Sequence, residues 1–107
     1  MVSTQIRSLT SADYYQMMES GIIREGERVE LILGQIFTMA AKGTRHTLST
    51  RKLFKQLLAL IDNRADVQSQ DPITLPNNSE PEPDLVIARV RSDDYVNSHP
   101  SPADIIL

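Results

Sequence analysis

Two acidic side chains stand in apolar company. Glu30 lies inside Val29-Glu30-Leu31-Ile32-Leu33, and Asp84 opens the run Leu85-Val86-Ile87-Ala88 directly after Pro83. A carboxylate buried without a partner costs several kcal/mol, so such a group is paired, neutralised or bound to a cation. Plainer readings stay open. Glu30 could face water from an edge strand, and Asp84 could start its strand by accepting hydrogen bonds from nearby amides. A third polar group, His46, falls on the apolar arc of a helical stretch, in line with Thr50, Leu53 and Leu57. It is therefore expected to point inward at the helix start, either toward a site or as a core histidine satisfied by a backbone carbonyl. His99 falls in a Pro/Ser loop and is expected to be exposed.

Charge is unevenly spread. The chain carries a net charge of −3, which gives bulk electrostatics no part in nucleic-acid binding. Yet Lys42, Arg45, Arg51, Lys52 and Lys55 follow one another with no intervening acid. Arg45, Arg51 and Lys52 could line a phosphate-binding surface near the helix N-terminus at Thr44, or could form a solvated helix face.

The elements that must position these residues are legible from capping, periodicity and turn chemistry. Thr10 can cap a first helix by accepting from the amide of Asp13, and Gly21 is expected to end it. Arg28–Leu33 and Ile36–Met39 read as two strands. The Gly34-Gln35 pair between them predicts a hairpin with a type II′ turn. From Thr44 to about Ile61, Leu53, Phe54, Leu57, Leu58, Leu60 and Ile61 share one arc, which predicts a long amphipathic helix. Short strands are expected at Asp66–Gln70, Ile73–Leu75, Asp84–Ala88 and from Asp104 onward. A polar, Pro-rich loop spans Pro76–Pro83, and a second loop runs from Arg91 to Pro102.

Composition bounds the possibilities. At 107 residues, 40% hydrophobic and 23% charged, the chain is expected to form a single α+β domain. With 5% aromatic residues and no Trp, it lacks the rings of a base-stacking platform. It has no cysteine, which excludes disulfides, thiolate zinc sites and a thiol nucleophile. No signal peptide or membrane-length apolar run is present, so a cytoplasmic location and no membrane partner are expected.

In combination, Glu80-Pro81-Glu82-Pro83-Asp84-Leu85-Val86-Ile87 and Arg28-Val29-Glu30-Leu31-Ile32-Leu33-Gly34-Gln35-Ile36 resemble a known pattern. The first is similar to the Pro-Asp element of the PD-(D/E)XK nucleases. The second is similar to the Glu-Leu-Ile-Asp-Gly-Glu-Ile hairpin of their Uma-type restriction endonuclease branch. Element order matches along nearly the whole chain. The resemblance implies a restriction-endonuclease-like mixed sheet with flanking helices, and a metal-dependent endonuclease acting on DNA. It implies Glu30 and Asp84 as ligands of Mg²⁺ or Mn²⁺, with His46 near the metal or the scissile phosphate.

There are departures. Leu33 stands where an Asp is common and Gln35 where a Glu is common. The strand after the Pro-Asp loop should bring a second acid and a lysine, but the chain ends on Asp104-Ile105-Ile106-Leu107. The expectation is an incomplete domain over residues 1–107, lacking its C-terminal part and inactive as it stands. An open apolar edge at Ile105–Leu107 is expected to favour a homodimer or strand-exchanged oligomer. The competing readings are a catalytically dead binding module of the same fold, and a small α+β domain whose acids are structural.

Overall fold

The structure, a computed structural model, describes residues 3–107. Its first unit is α1 (Ser11–Glu19) laid on a hairpin of β1 (Val29–Ile32) and β2 (Gln35–Thr38). Thr10 Oγ1 accepts from the Asp13 amide at 3.0 Å and Asp13 Oδ2 accepts from the Thr10 amide at 3.0 Å, a complete capping box. Beyond the helix, Gly21 takes φ +81° and the Ile23 amide returns to the Met17 carbonyl at 3.0 Å. Tyr14, Ile23, Val29 and Leu31 form the core of this unit, with Leu9, Tyr15, Met17 and Ile36 packed around it. The Tyr14 hydroxyl donates to the Val29 carbonyl at 3.2 Å, satisfying a polar atom inside that core.

The hairpin forms, but its turn lies one residue earlier than Gly34-Gln35. Ile32 pairs with Gln35, so the loop is Leu33-Gly34, with φ of +49° and +77°. Two positive φ values define a type I′ turn, not the expected II′, and the I′ form matches the right-handed twist of the strands. Gly34 is required on two counts. Besides its φ, a Cβ there would stand 2.7 Å from Ser8 Cβ and 3.0 Å from the Leu9 carbonyl. The turn is held from both sides, since the Leu9 amide donates to Gly34 O and the Gly34 amide to Asn78 O, each at 2.9 Å.

The second unit is α2 (Thr44–Ile61) followed by β3 (Asp66–Ser69), which pairs antiparallel with β4 (Leu85–Ala88). The helix has the bounds that the periodicity predicts. Its apolar arc, however, is not enclosed: none of its residues is buried, and Leu53 and Leu60 are 48% and 71% exposed.

Two expected strands do not form as such. Ile73–Leu75 is bound to loops: the Thr74 amide donates to Pro100 O at 2.8 Å and the Leu75 amide to Ser79 O at 2.9 Å. Pro72 and Pro76 supply no amide on either side, and Asn77 and Asn78 turn the chain at φ of +65° and +54°. Asp104 closes a 3₁₀ turn, Pro102–Asp104, because its carboxylate accepts from the Ser101 amide at 3.0 Å. Only Ile105–Leu107 then lies along β4, with the Ile106 amide donating to Ile87 O at 2.8 Å.

The class is α+β, as expected, with two antiparallel two-stranded ladders. The Pro-rich loop joins them across β1. Glu80 bridges Leu31, its amide donating to Leu31 O at 2.7 Å, and the Leu33 amide donates to Ser79 Oγ at 2.9 Å.

Candidate functional site

Asp84 sits at the bend between Pro83 and β4, its backbone carbonyl accepting from the Gln70 amide at 3.2 Å. The carboxylate is half-exposed, and two groups from the start of α2 converge on it. Lys42 Nζ lies 2.6 Å from Oδ1, and His46 Nε2 lies 3.1 Å from Oδ2. The Lys42 side chain is mostly buried, 19% exposed. The hydrogen bond from Lys42, then that from His46, hold Asp84 below the usual carboxylate range.

Alternation along β1 sends Val29 and Leu31 into the core and leaves Glu30 and Ile32 half-buried on the other face. Glu30 Oε2 accepts from the Glu82 amide at 3.3 Å. Glu30 and Asp84 are thus tied to one loop two residues apart, although the first comes from the hairpin and the second from β4. Glu82 lies between them. Its carboxyl is pushed up by burial, with the cation of Arg28 opposing and the charge of Glu30 adding to the rise. Lys42 acts on both Glu82 and Asp84 and so links the two acids electrostatically. Glu80, by contrast, is buried on the far side of the loop, where it accepts from the Thr74 hydroxyl at 2.9 Å.

Among the described residues, no group of three or more His, Cys, Asp or Glu is placed to hold a metal ion. The structure places His46 on Asp84 and Glu30 on the Glu82 amide, and does not gather the three around one point.

The structure brings His46 and Asp84 together and ties Glu30 to the same loop. His46 is about half-exposed and bonded to a side-chain carboxylate, so it is not the core histidine that one reading allowed. Arg45, Arg51 and Lys52 are exposed along α2, and none makes an ion pair among the described residues. Arg45 adjoins His46, and Lys52, seven residues on, shares its face. His99 is not simply exposed. Its ring stacks on Tyr15 with centroids 5.9 Å apart.

Lys42 is the member that the sequence reading did not single out. No helical spacing marked it, because it precedes the N-cap Gly43 and lies outside the α2 period. Nothing in the sequence connected it to Asp84, 42 positions away.

Comparison with curated proteins returned no significant match. A family model described as "Uma2: Putative restriction endonuclease" matches residues 11–107, the span from the first residue of α1 through the hairpin, α2 and the Asp84 strand. The chain belongs to the Uma2 restriction endonuclease family.

Proposed function

We propose that this protein is built for divalent-metal-dependent hydrolysis of phosphodiester bonds in DNA, with Asp84 and Glu30 as metal ligands. The observation that carries the reading is the half-exposed Asp84 carboxylate, met by Lys42 and His46 and linked through the Glu82 backbone to Glu30. A bound Mg²⁺ or Mn²⁺ supplies charge on a phosphoryl oxygen and a more acidic water. The protein's own part is to present Glu30 from β1 and Asp84 from the bend before β4, and to hold His46 on Asp84. Arg45, Arg51 and Lys52 supply exposed positive charge for the DNA backbone.

Residues 1–107 contain no lysine after Lys55 and no acid-x-Lys sequence beyond Asp84. We therefore expect this stretch by itself to bind the cation without turning over DNA. Sustained nicking of a plasmid by a rigorously purified sample, lost in Asp84→Ala, would overturn that expectation. The metal assignment is tested by titrating Mn²⁺ into the wild-type chain, Asp84→Ala and Glu30→Ala. Each variant should lose most of the affinity, and unchanged binding in both would remove the site.

The second reading, a catalytically dead binding module of the same fold, draws on the same unpaired cations of α2. Metal-independent DNA binding that survives Asp84→Ala but falls in a combined Arg45, Arg51 and Lys52 to Ala variant would favour it. No helix among the described residues is long and apolar enough to cross a membrane. A cytoplasmic, self-associating protein completes the proposal.

A further inference from the structure

The Pro-rich loop carries a further carboxylate, Glu80, that the site above does not use. Its backbone holds the loop to β1, since the amide donates to Leu31 O at 2.7 Å and asks nothing of the side chain. The residue is 1% exposed, yet only Oε2 has a donor, the Thr74 hydroxyl at 2.9 Å. Oε1 is buried without a partner, and no ion pair among the described residues includes Glu80. The Tyr15 hydroxyl is likewise buried and unpartnered. It stands near enough to Glu80 and Thr74 for both to act on its acidity, but meets neither in hydrogen-bond geometry. Tyr15 and Glu80 line a cleft of about 440 Å³ together with Thr74, Tyr95 and His99. That volume lies within the range of roughly 300–1,000 Å³ that small-molecule sites occupy.

The chemistry of the lining narrows what fits there. A buried carboxylate oxygen is costly unless a donor or a cation meets it. No lysine or arginine lines the cleft, so the chain brings no cation to Glu80 and offers a phosphate no counter-charge. No three His, Cys, Asp or Glu gather there to hold a metal ion. An organic cation meets the requirement. Tyr15, Tyr95 and His99 supply aromatic rings, and a guanidinium is planar, weakly hydrated and stacks on such rings. Its fork of N–H donors can also serve two acceptors at once, where an ammonium is a point charge. Tyr95 already takes one such group, the Arg91 guanidinium, 4.1 Å from its ring centroid. We infer that the cleft between α1 and the 95–99 loop is a binding site for a small guanidinium ligand, whose N–H groups donate to Glu80 Oε1 and the Tyr15 hydroxyl oxygen. The inference stands on this cleft alone and does not depend on the metal reading.

The experiment follows the Tyr15 and His99 ring protons by NMR while butylguanidinium, butylammonium or neutral butylurea is titrated into the wild-type chain. Butylguanidinium should shift both rings saturably and bind at least about tenfold more tightly than butylurea, its uncharged counterpart. Glu80→Gln keeps the shape and the Thr74 contact but deletes the charge, and should weaken butylguanidinium binding by at least about tenfold. Tyr15→Phe leaves Glu80 intact and should weaken it about fivefold. N-acetylarginine methylamide carries the same head on a peptide. Tighter binding than butylguanidinium assigns the site to an arginine side chain, and equal or weaker binding to a free small molecule. No saturable shift in the wild-type chain, or equal affinity for butylurea, overturns the inference and leaves Tyr15 and Glu80 as an internal pair. Equal or tighter binding of butylammonium overturns the guanidinium assignment. Undiminished binding by Glu80→Gln, or by Tyr15→Phe where Glu80→Gln does not fold, overturns the site as well.

Discussion

Residue by residue, the strongest local demands on this chain come from backbone conformation and from charge placed in partial burial. Leu33 holds φ +49° at the first position of the hairpin turn while its side chain is largely exposed. A left-handed conformation costs a non-glycine residue about 1–2 kcal/mol, and Asn tolerates it better than Leu. Leu33→Asn should therefore stabilise the protein by roughly 1 kcal/mol, raising the melting temperature by roughly 4–8 °C in a thermal scan. Gly34→Ala should do the reverse, since it meets both a positive φ and the Ser8 and Leu9 atoms.

Asp104 illustrates the charge side. The Ser101 amide, then Arg89 and Arg91, hold its carboxyl below the usual range against the effect of burial. A carboxylate with a lowered folded-state pKa stabilises above its unfolded value and loses that contribution as pH falls toward the folded one. The melting-temperature gap between wild type and Asp104→Asn should be steady at neutral pH and close below about pH 4. A gap that widens in acid would contradict this.

At the level of elements, the two helices show how differently one amphipathic pattern can end. α1 puts Tyr14 fully into the core against Val29 and Leu31. α2 follows the apolar period more faithfully over 18 residues, yet buries none of them. Leu31→Ala should cost about 2–5 kcal/mol, as for other enclosed leucines. Leu60→Gln should cost no more than about 0.5 kcal/mol in the isolated chain. Urea unfolding of both variants would test this contrast, and comparable losses would mean that α2 is covered. Element identity was legible at the capping box of Thr10, the α2 bounds and the β1–β2 pair. It was not legible at Ile73–Leu75 or Asp104, where proline and side-chain hydrogen bonds to the backbone outcompete the ladder.

For the molecule as a whole, shape carries the same message. The radius of gyration is 16.2 Å, against about 13 Å for a compact domain of this length. The enclosed core is small and lies at the α1–hairpin end and along β4. Leu48, Leu53, Leu58 and Leu60 of α2, with Ile106 and Leu107, remain exposed. Exposed apolar surface on this scale favours association, and a second copy offers the same surface. Sedimentation should give a dimer or larger species at micromolar concentration, and Leu53→Lys with Leu60→Lys should shift it to monomer. A wild-type monomer at all concentrations would refute self-association.

What the sequence determined by itself is the two helices, the β1–β2 hairpin and the β3 and β4 strands. Capping, a 3.6-residue period and the Pro-Asp context are local properties, readable without knowing what touches what. Three things required the tertiary structure: that Glu30 reaches the amide of Glu82, that His46 faces a carboxylate instead of the core, and that Lys42 occupies Asp84. Each depends on the Pro-rich loop crossing β1, where Glu80 bridges Leu31 and Asn78 clamps Gly34. Contacts between segments about 40 to 50 residues apart arise from chain closure over a shared core, and no spacing rule in the sequence encodes them.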